Sequence, residues 1–361
     1  MSRPRARHLG WLAIPAAALL AVALSPLAHA ESAADTINVS TPDELSAALG
    51  DAQPGQTIAM APGDYHGNFV AQTAGDADNP ITLTGPADAV LSSDGPAGDG
   101  PDCAKPGNGW SSGYGLWLYD SANWNLKGFT VADSKKGIVV DHSPHVTIDG
   151  VAVHGIADEG VHFRSSSSDG VIENSTITDT GREQPEYGEG VYIGSANSNW
   201  ECFGNSDGVD SSDRVQVRDN KIGPDVAAEP IDVKEGTTGG EISGNTFNGQ
   251  GIAGQNSADS WIDVKGIGYT IEHNTGTFSD PGVFANGYET HNPSTTPDMD
   301  NGCGNVWRDN DSDLGDTGDY AIDVTSQSKC EGNPNVVYSS NTVSHAKKGL
   351  TNIDVTPGAT D

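Results

Sequence analysis

The sequence predicts an all-β chain wound into a parallel β-helix, and three observations carry that prediction. The 361 residues include 46 glycines, and the apolar residues fall in short runs rather than at helical spacing. Eight segments share one pattern, an apolar strand followed by Gly or Asn: LKGFTV, TIDGVAV, VIENSTI, VRDNKI, ISGNTF, IEHNTGTF, WRDNDSD and YSSNTV. Their punctuating residues, Gly128, Gly150, Asn174, Asn220, Asn245, Asn274, Asn310 and Asn341, recur mostly at intervals of 22 to 36 residues. That is the length of a solenoid coil.

The elements follow in chain order. Residues 1–30 read as a secretory signal peptide: Arg3, Arg5 and Arg7 precede the apolar run WLAIPAAALLAVAL, and Ala28-His29-Ala30 supplies a small-residue cleavage site. Residues 31–361 read as one domain. Thr41-Pro42-Asp43-Glu44 forms a capping box with Pro at the first helical position. Leu45, Ala48 and Leu49 make an apolar stripe and Gly50 stops the helix, so a short helix covers the open end of the first coil. TIAMAPGDYHGNF and NPITLTG read as that coil. In the later coils each punctuating Asn is expected to turn the chain in a left-handed conformation and to bond its equivalent one coil on. The one large interval, Asn174 to Asn220, holds the polar loop SANSNWECFGNSDGVDSSD, and DGPAGDGPDCAKPGNGW reads as a loop over the first coils.

Composition bounds the partners. Lys and Arg number 18 against 50 Asp and Glu, a formal net charge of −32, and three of those 18 lie in the expected leader. Nucleic acid and anionic membrane surfaces are therefore not expected partners, and no run after the leader reaches the ~20 apolar residues of a membrane span. A secreted, extracellular monomer is expected. The four cysteines lack zinc-site spacing and, in an exported chain, suggest disulfides with three possible pairings. Cys303 with Cys330 is the preferred pair, since each lies shortly before an equivalent strand of successive repeats, which leaves Cys103 with Cys202.

The run from TPDELSAALGDAQPGQTIAMAPGDYHGNF through NPITLTG resembles the amino-terminal cap and first coil of secreted pectate-lyase-like right-handed β-helix proteins. The Asn-punctuated coils extend the resemblance over nearly all of the remaining chain. It implies a right-handed parallel β-helix. That superfamily includes lyases, hydrolases, epimerases and binding modules, so the chemistry has to come from the site.

The first strand of each coil aligns as EGVHFRS (159–165), EGVYIGS (189–195), EPIDVKE (229–235), SWIDVKG (260–266) and YAIDVTS (320–326). With Val161/Phe163, Val191/Ile193, Ile231/Val233, Ile262/Val264 and Ile322/Val324 inward, alternation sends three rows outward. One is His162, Tyr192, Asp232, Asp263, Asp323. The next is Arg164, Gly194, Lys234, Lys265, Thr325. Glu159, Glu189 and Glu229 form the third. A coil face requires only solvated residues outside, so basic residues gathered beside acids, a His and a Tyr in so acidic a chain point to a site. The chemistry such a face suits is β-elimination from a uronic-acid polymer. It needs a neutral Lys, His or Tyr as base and cations or a metal to hold the enolate, a role that Ca²⁺ on the glutamate row would serve. Lys234 is expected to be exposed, with its neutral form favoured by Lys265 and Arg164 and opposed by the adjacent acids, and with an uncovered turn, residues 235–240, beside it.

Glu229 five residues before Lys234, with Lys265 one coil later, resembles the arrangement in the chondroitinase B and alginate lyase family. The resemblance implies Glu229 as a calcium ligand, Lys234 as base and Lys265 as the assisting cation. It departs in having Lys where that family has Arg, and Asp232 or nothing in place of a second glutamate. The remaining catalytic candidates are Arg164, His162 and Tyr192, the metal candidates Glu159 and Glu189, and the substrate-binding candidates Asp232, Asp263 and Trp261. Two other functions fit the composition. An inverting glycoside hydrolase could use Glu189, Asp232 and Asp263. A glycan-binding module could use Trp110, Trp117, Trp124, Trp200 and Trp261. DMDNG and DNDSDLGDTGD read as solvated turns, and His154, His273 and His291 receive no role.

Overall fold

The computed structural model describes residues 1, 35–96, 103–107 and 111–358. Trp110 and the expected leader after Met1 lie outside the described residues. Residues 34–361 fall in one compact unit. Among the described residues, parallel strands build three sheets of twelve, ten and ten strands, each coil contributing to all three. This is the parallel β-helix that the repeats predict.

Alternation within short strands produces the core. In the twelve-stranded sheet, Ile58, Leu83, Leu126, Ile148, Ile172, Val217, Ile242, Ile271, Trp307 and Val337 stand in register, one per coil. All are fully buried. Each such aliphatic side chain contributes about 1.5–3 kcal/mol on burial. The capping helix spans Pro42–Gly50; Thr41 accepts from the Glu44 N–H, and Leu45, Ala48 and Leu49 are buried as the stripe predicts.

The asparagine stack is present, with one correction. The backbone N–H groups of Asn220, Asn245, Asn274 and Asn310 each donate to the Oδ1 of the asparagine one coil on, at 3.0–3.1 Å. The left-handed residue, however, is the one before: Asp219 (φ 57°), Gly244 (67°), His273 (54°) and Asp309 (55°). Gly128, Gly150 and Asn174 belong to that row, and Ser175 rather than Asn174 takes the stack position, donating its N–H to Asn220 Oδ1. Asn245→Ala would orphan the Asn220 backbone N–H and remove one of the two bonds of its side-chain amide, which keeps the Ile172 carbonyl. The expected cost in urea unfolding is at least about 2 kcal/mol. Asn174→Gly, at an already left-handed site, should stay within about 0.5 kcal/mol.

Both expected disulfides form, Cys103–Cys202 and Cys303–Cys330, and no described cysteine is free. The first ties the loop over the early coils to the 195–213 segment, whose short helix is Trp200–Phe203. No described helix is long and apolar enough to cross a membrane.

Candidate functional site

The outward rows are in the predicted register along one ten-stranded sheet: His162 beside Tyr192, Tyr192 beside Asp232, Asp232 beside Asp263. A coil absent from the sequence alignment follows. The strand Tyr288–Thr290 lies between Ile262–Val264 and Tyr320–Val324, so Glu289, not Asp323, is next to Asp263. His291 then succeeds Lys265 in the lysine row, its N–H bonded to the Val264 carbonyl. The sequence hid this coil because its inward residues are Tyr288 and Thr290 rather than an aliphatic pair.

These coils line a pocket of 520 Å³ walled by Glu229, Asp232, Lys234, Asn256, Ser257, Asp263, Lys265, His291, Asn292, Pro293, Thr325 and Ser326. Opposite charges alternate across it. Lys234 Nζ is 2.5 Å from Asp232 Oδ2, Lys265 Nζ is 3.1 Å from Asp232 Oδ1 and also binds Asp263, and His291 Nδ1 is 2.8 Å from Asp263 Oδ1. The chain of contacts therefore reads Lys234, Asp232, Lys265, Asp263, His291.

The electrostatics correct the expectation for Lys234. Burial disfavours its charge, yet Asp232 and Glu189 outweigh burial and hold the ammonium well above the ordinary amine range. Lys265 behaves alike, against burial, through Asp232 and Asp263. Lys234 is also buried rather than exposed, its Nζ 4.9 Å from the centroid of the Tyr192 ring. The turn after it is not bare: Trp200 packs on Gly236, and Glu235 accepts from the Asn197 N–H at 2.7 Å. Burial, then Asp232 and Glu189, push the Tyr192 phenol well above 10.0 and keep its proton on.

Other candidates leave the pocket. Arg164 is buried against Asp141, with Nε 2.6 Å from Oδ1 and its guanidinium carbon 4.2 Å from the centroid of the Phe203 ring. Trp117 Nε1 donates to the same carboxylate at 2.8 Å. His162 is sealed, with Nε2 2.8 Å from the Gly194 carbonyl, and burial lowers its pKa. Trp261 is core, packed against Phe284 and Tyr288, so it cannot touch a substrate. Trp117, Trp124 and Trp200 are buried too, which leaves no described tryptophan of the five for sugar stacking.

The expected glutamate row splits. Glu159 pairs with Lys136, which with His162 holds it below the carboxylate range against the pull of burial. Glu189, Glu229 and Asp232 instead bring one carboxylate oxygen each within 4.8 Å of one another. Burial, then the Asp232 and Asp263 charges, raise Glu229 to about 8; burial and the neighbouring acids lift Glu189 well above 4.5. Glu189 Oε2 is buried with no hydrogen-bond partner among the described residues. An all-carboxylate donor set with an orphaned buried oxygen fits a hard divalent cation.

Fold and site together define a solenoid: a parallel β-helix with an ion-paired pocket on the outer face of one sheet. A family model described as right handed beta helix region matches residues 114–275. An alginate lyase from Paenibacillus sp. str. FPU-7 is 32% identical, with a TM-score of 0.74 over 88% of this chain and 98% of that one. Pectate lyase Pel9A superposes at 16% identity and TM-score 0.60 over 87% of this chain and 78% of that one. PfbA, a surface adhesin of Streptococcus pneumoniae, does so at 13% identity and 0.55 over 86% and 74%. No curated protein matches by sequence. The chain belongs to the pectate-lyase-like right-handed β-helix family.

Proposed function

We propose that the protein is a secreted polysaccharide lyase that cleaves a uronic-acid-containing polymer by β-elimination, assisted by Ca²⁺. One observation carries this reading: a chain with 18 basic against 50 acidic residues places Lys234, Lys265 and His291 in a single pocket. The two ammonium groups match Asp232 and Asp263, and Glu229 keeps its proton near neutrality. A substrate carboxylate there meets local cations instead of the field of the whole molecule. The two disulfides suit an oxidising, extracellular setting.

In the reaction, the C–H bond beside the carboxylate breaks, its electrons form the C=C bond, and the glycosidic oxygen leaves with a proton. Lys265, between Lys234 and His291 on successive strands, is placed to hold the carboxylate as negative charge moves onto it. Lys234 carries a proton held in the pocket, which suits it to the leaving oxygen rather than to the base role implied by the family resemblance. Glu189, Glu229 and Asp232 would hold Ca²⁺, which supplies further neutralisation of the carboxylate.

The test is incubation with acidic and neutral polysaccharides, with and without Ca²⁺, following the ultraviolet absorbance of unsaturated uronates. Absorbance supports a lyase. New saturated reducing ends without it would select the inverting hydrolase reading, which draws on Glu189, Asp232 and Asp263. Binding without either product would select a module.

The acidic trio has its own readout. Glu229 is protonated in both states below pH 4.5; between 4.5 and about 8 the unfolded chain loses this proton first, so stability falls as pH rises through that window. With chelator present, the melting temperature should drop from pH 5 towards about pH 8, and Glu229→Gln should flatten the drop. Ca²⁺ added at the alkaline end should restore it; no shift would mean that protons alone occupy the trio.

A further inference from the structure

We propose that His291, oriented by Asp263, is the general base that removes the proton beside the substrate carboxylate; this rests on the lyase reading. His291 Nδ1 lies 2.8 Å from Asp263 Oδ1, so Nδ1–H donates to the carboxylate and the Nε2 lone pair remains. Nε2 is 4.0 Å from Glu289 Oε2, beyond a hydrogen bond. The imidazole is also the most accessible cationic group of the pocket: its side chain is 42% exposed, against 10% for Lys234 and 18% for Lys265.

Position supports the role. Lys234, Lys265 and His291 occupy equivalent sites on successive strands, spaced by about 4.8 Å per step. A carboxylate on Lys265 therefore has an imidazole on one side and the Lys234 ammonium on the other. Of the other candidates, both lysines are committed to ion pairs with Asp232 and Asp263, and His162 is sealed against the Gly194 carbonyl. His291 is faced by Asp263 and Lys265 from the preceding coil, Glu289 on its own strand, Asp259 before that coil and Asp323 from the next. The Asp263 hydrogen bond leads in raising its pKa above 6.5, against burial, so the free base forms at a higher pH than for an ordinary imidazole. In the step, Nε2 gains the proton, the C–H electrons become the double bond, and the leaving oxygen takes the Lys234 proton. Exchange with solvent resets both groups.

The experiment compares the wild-type chain with His291→Gln and His291→Asn on the uronate polymer it cleaves, over a pH series, with melting temperatures as the folding check. We expect kcat to fall by at least about 10²-fold with KM within a few-fold. The rate of the wild type should rise through an apparent pKa above 6.5, and that limb should vanish in both variants. Either folded variant retaining more than about a tenth of kcat, keeping the limb, or changing KM alone would overturn the assignment. A wild-type chain that yields no unsaturated product from any uronate polymer defeats the lyase reading itself, and the base assignment with it.

Discussion

Lys234→Ala is expected to lower the rate of the proposed elimination by at least about 10²-fold, because it removes the group proposed to protonate the leaving oxygen. Lys234→Arg should be nearly as inactive, since a guanidinium neither gives nor takes a proton near neutrality. An Arg variant that keeps most of the activity would reduce Lys234 to a binding cation. The truncation also has a structural cost, because Lys234 is buried on Asp232. Orphaning a buried charge typically costs about 3–5 kcal/mol; here Lys265 stays 3.1 Å from the same carboxylate, so a loss on the order of 2 kcal/mol is expected in urea unfolding. Rates should therefore be read per folded molecule.

Arg164→Ala should behave in the opposite way. It strands the Asp141 carboxylate, which is buried and receives both Nε and a terminal nitrogen of Arg164. It also removes the stack on Phe203. A loss of about 3–5 kcal/mol is expected, with activity per folded molecule changed only a few-fold. A stable but inactive variant would return Arg164 to the catalytic set. The pair matters to the fold because it fastens the 195–213 segment, through Phe203, over the early coils, where the Cys103–Cys202 bridge also holds it.

The rows themselves were legible from residues 159–326 alone. Ile231 and Val233 must face inward, as must Ile262 and Val264, and a period of two then places Asp232 against Asp263 and Lys234 in the row of Lys265. The same local logic located the capping helix, the asparagine stack to within one residue, and both disulfides. It failed where a coil carries Tyr288 and Thr290 inward, and so it missed His291. It also took Trp261 for a surface residue, because alternation from the inward Ile262 sends residue 261 outward, whereas the strand begins only at Ile262 and Trp261 turns into the core.

By itself, the sequence determined the solenoid, the register from His162 to Asp263 and most of the charged residues on one face, since alternation and turn chemistry act between near neighbours along the chain. Only the tertiary structure decided what those charges do. Whether Glu159 meets Lys136 or a cation, whether Arg164 turns to Asp141 or to a groove, and whether Lys234 is neutral or charged depend on side chains brought together from different coils. They depend equally on the 195–213 segment, which buries one end of the face and leaves His291 open at the other. Protonation follows from burial and the distance to opposite charge, and neither quantity exists until the coils are stacked and the loops laid over them.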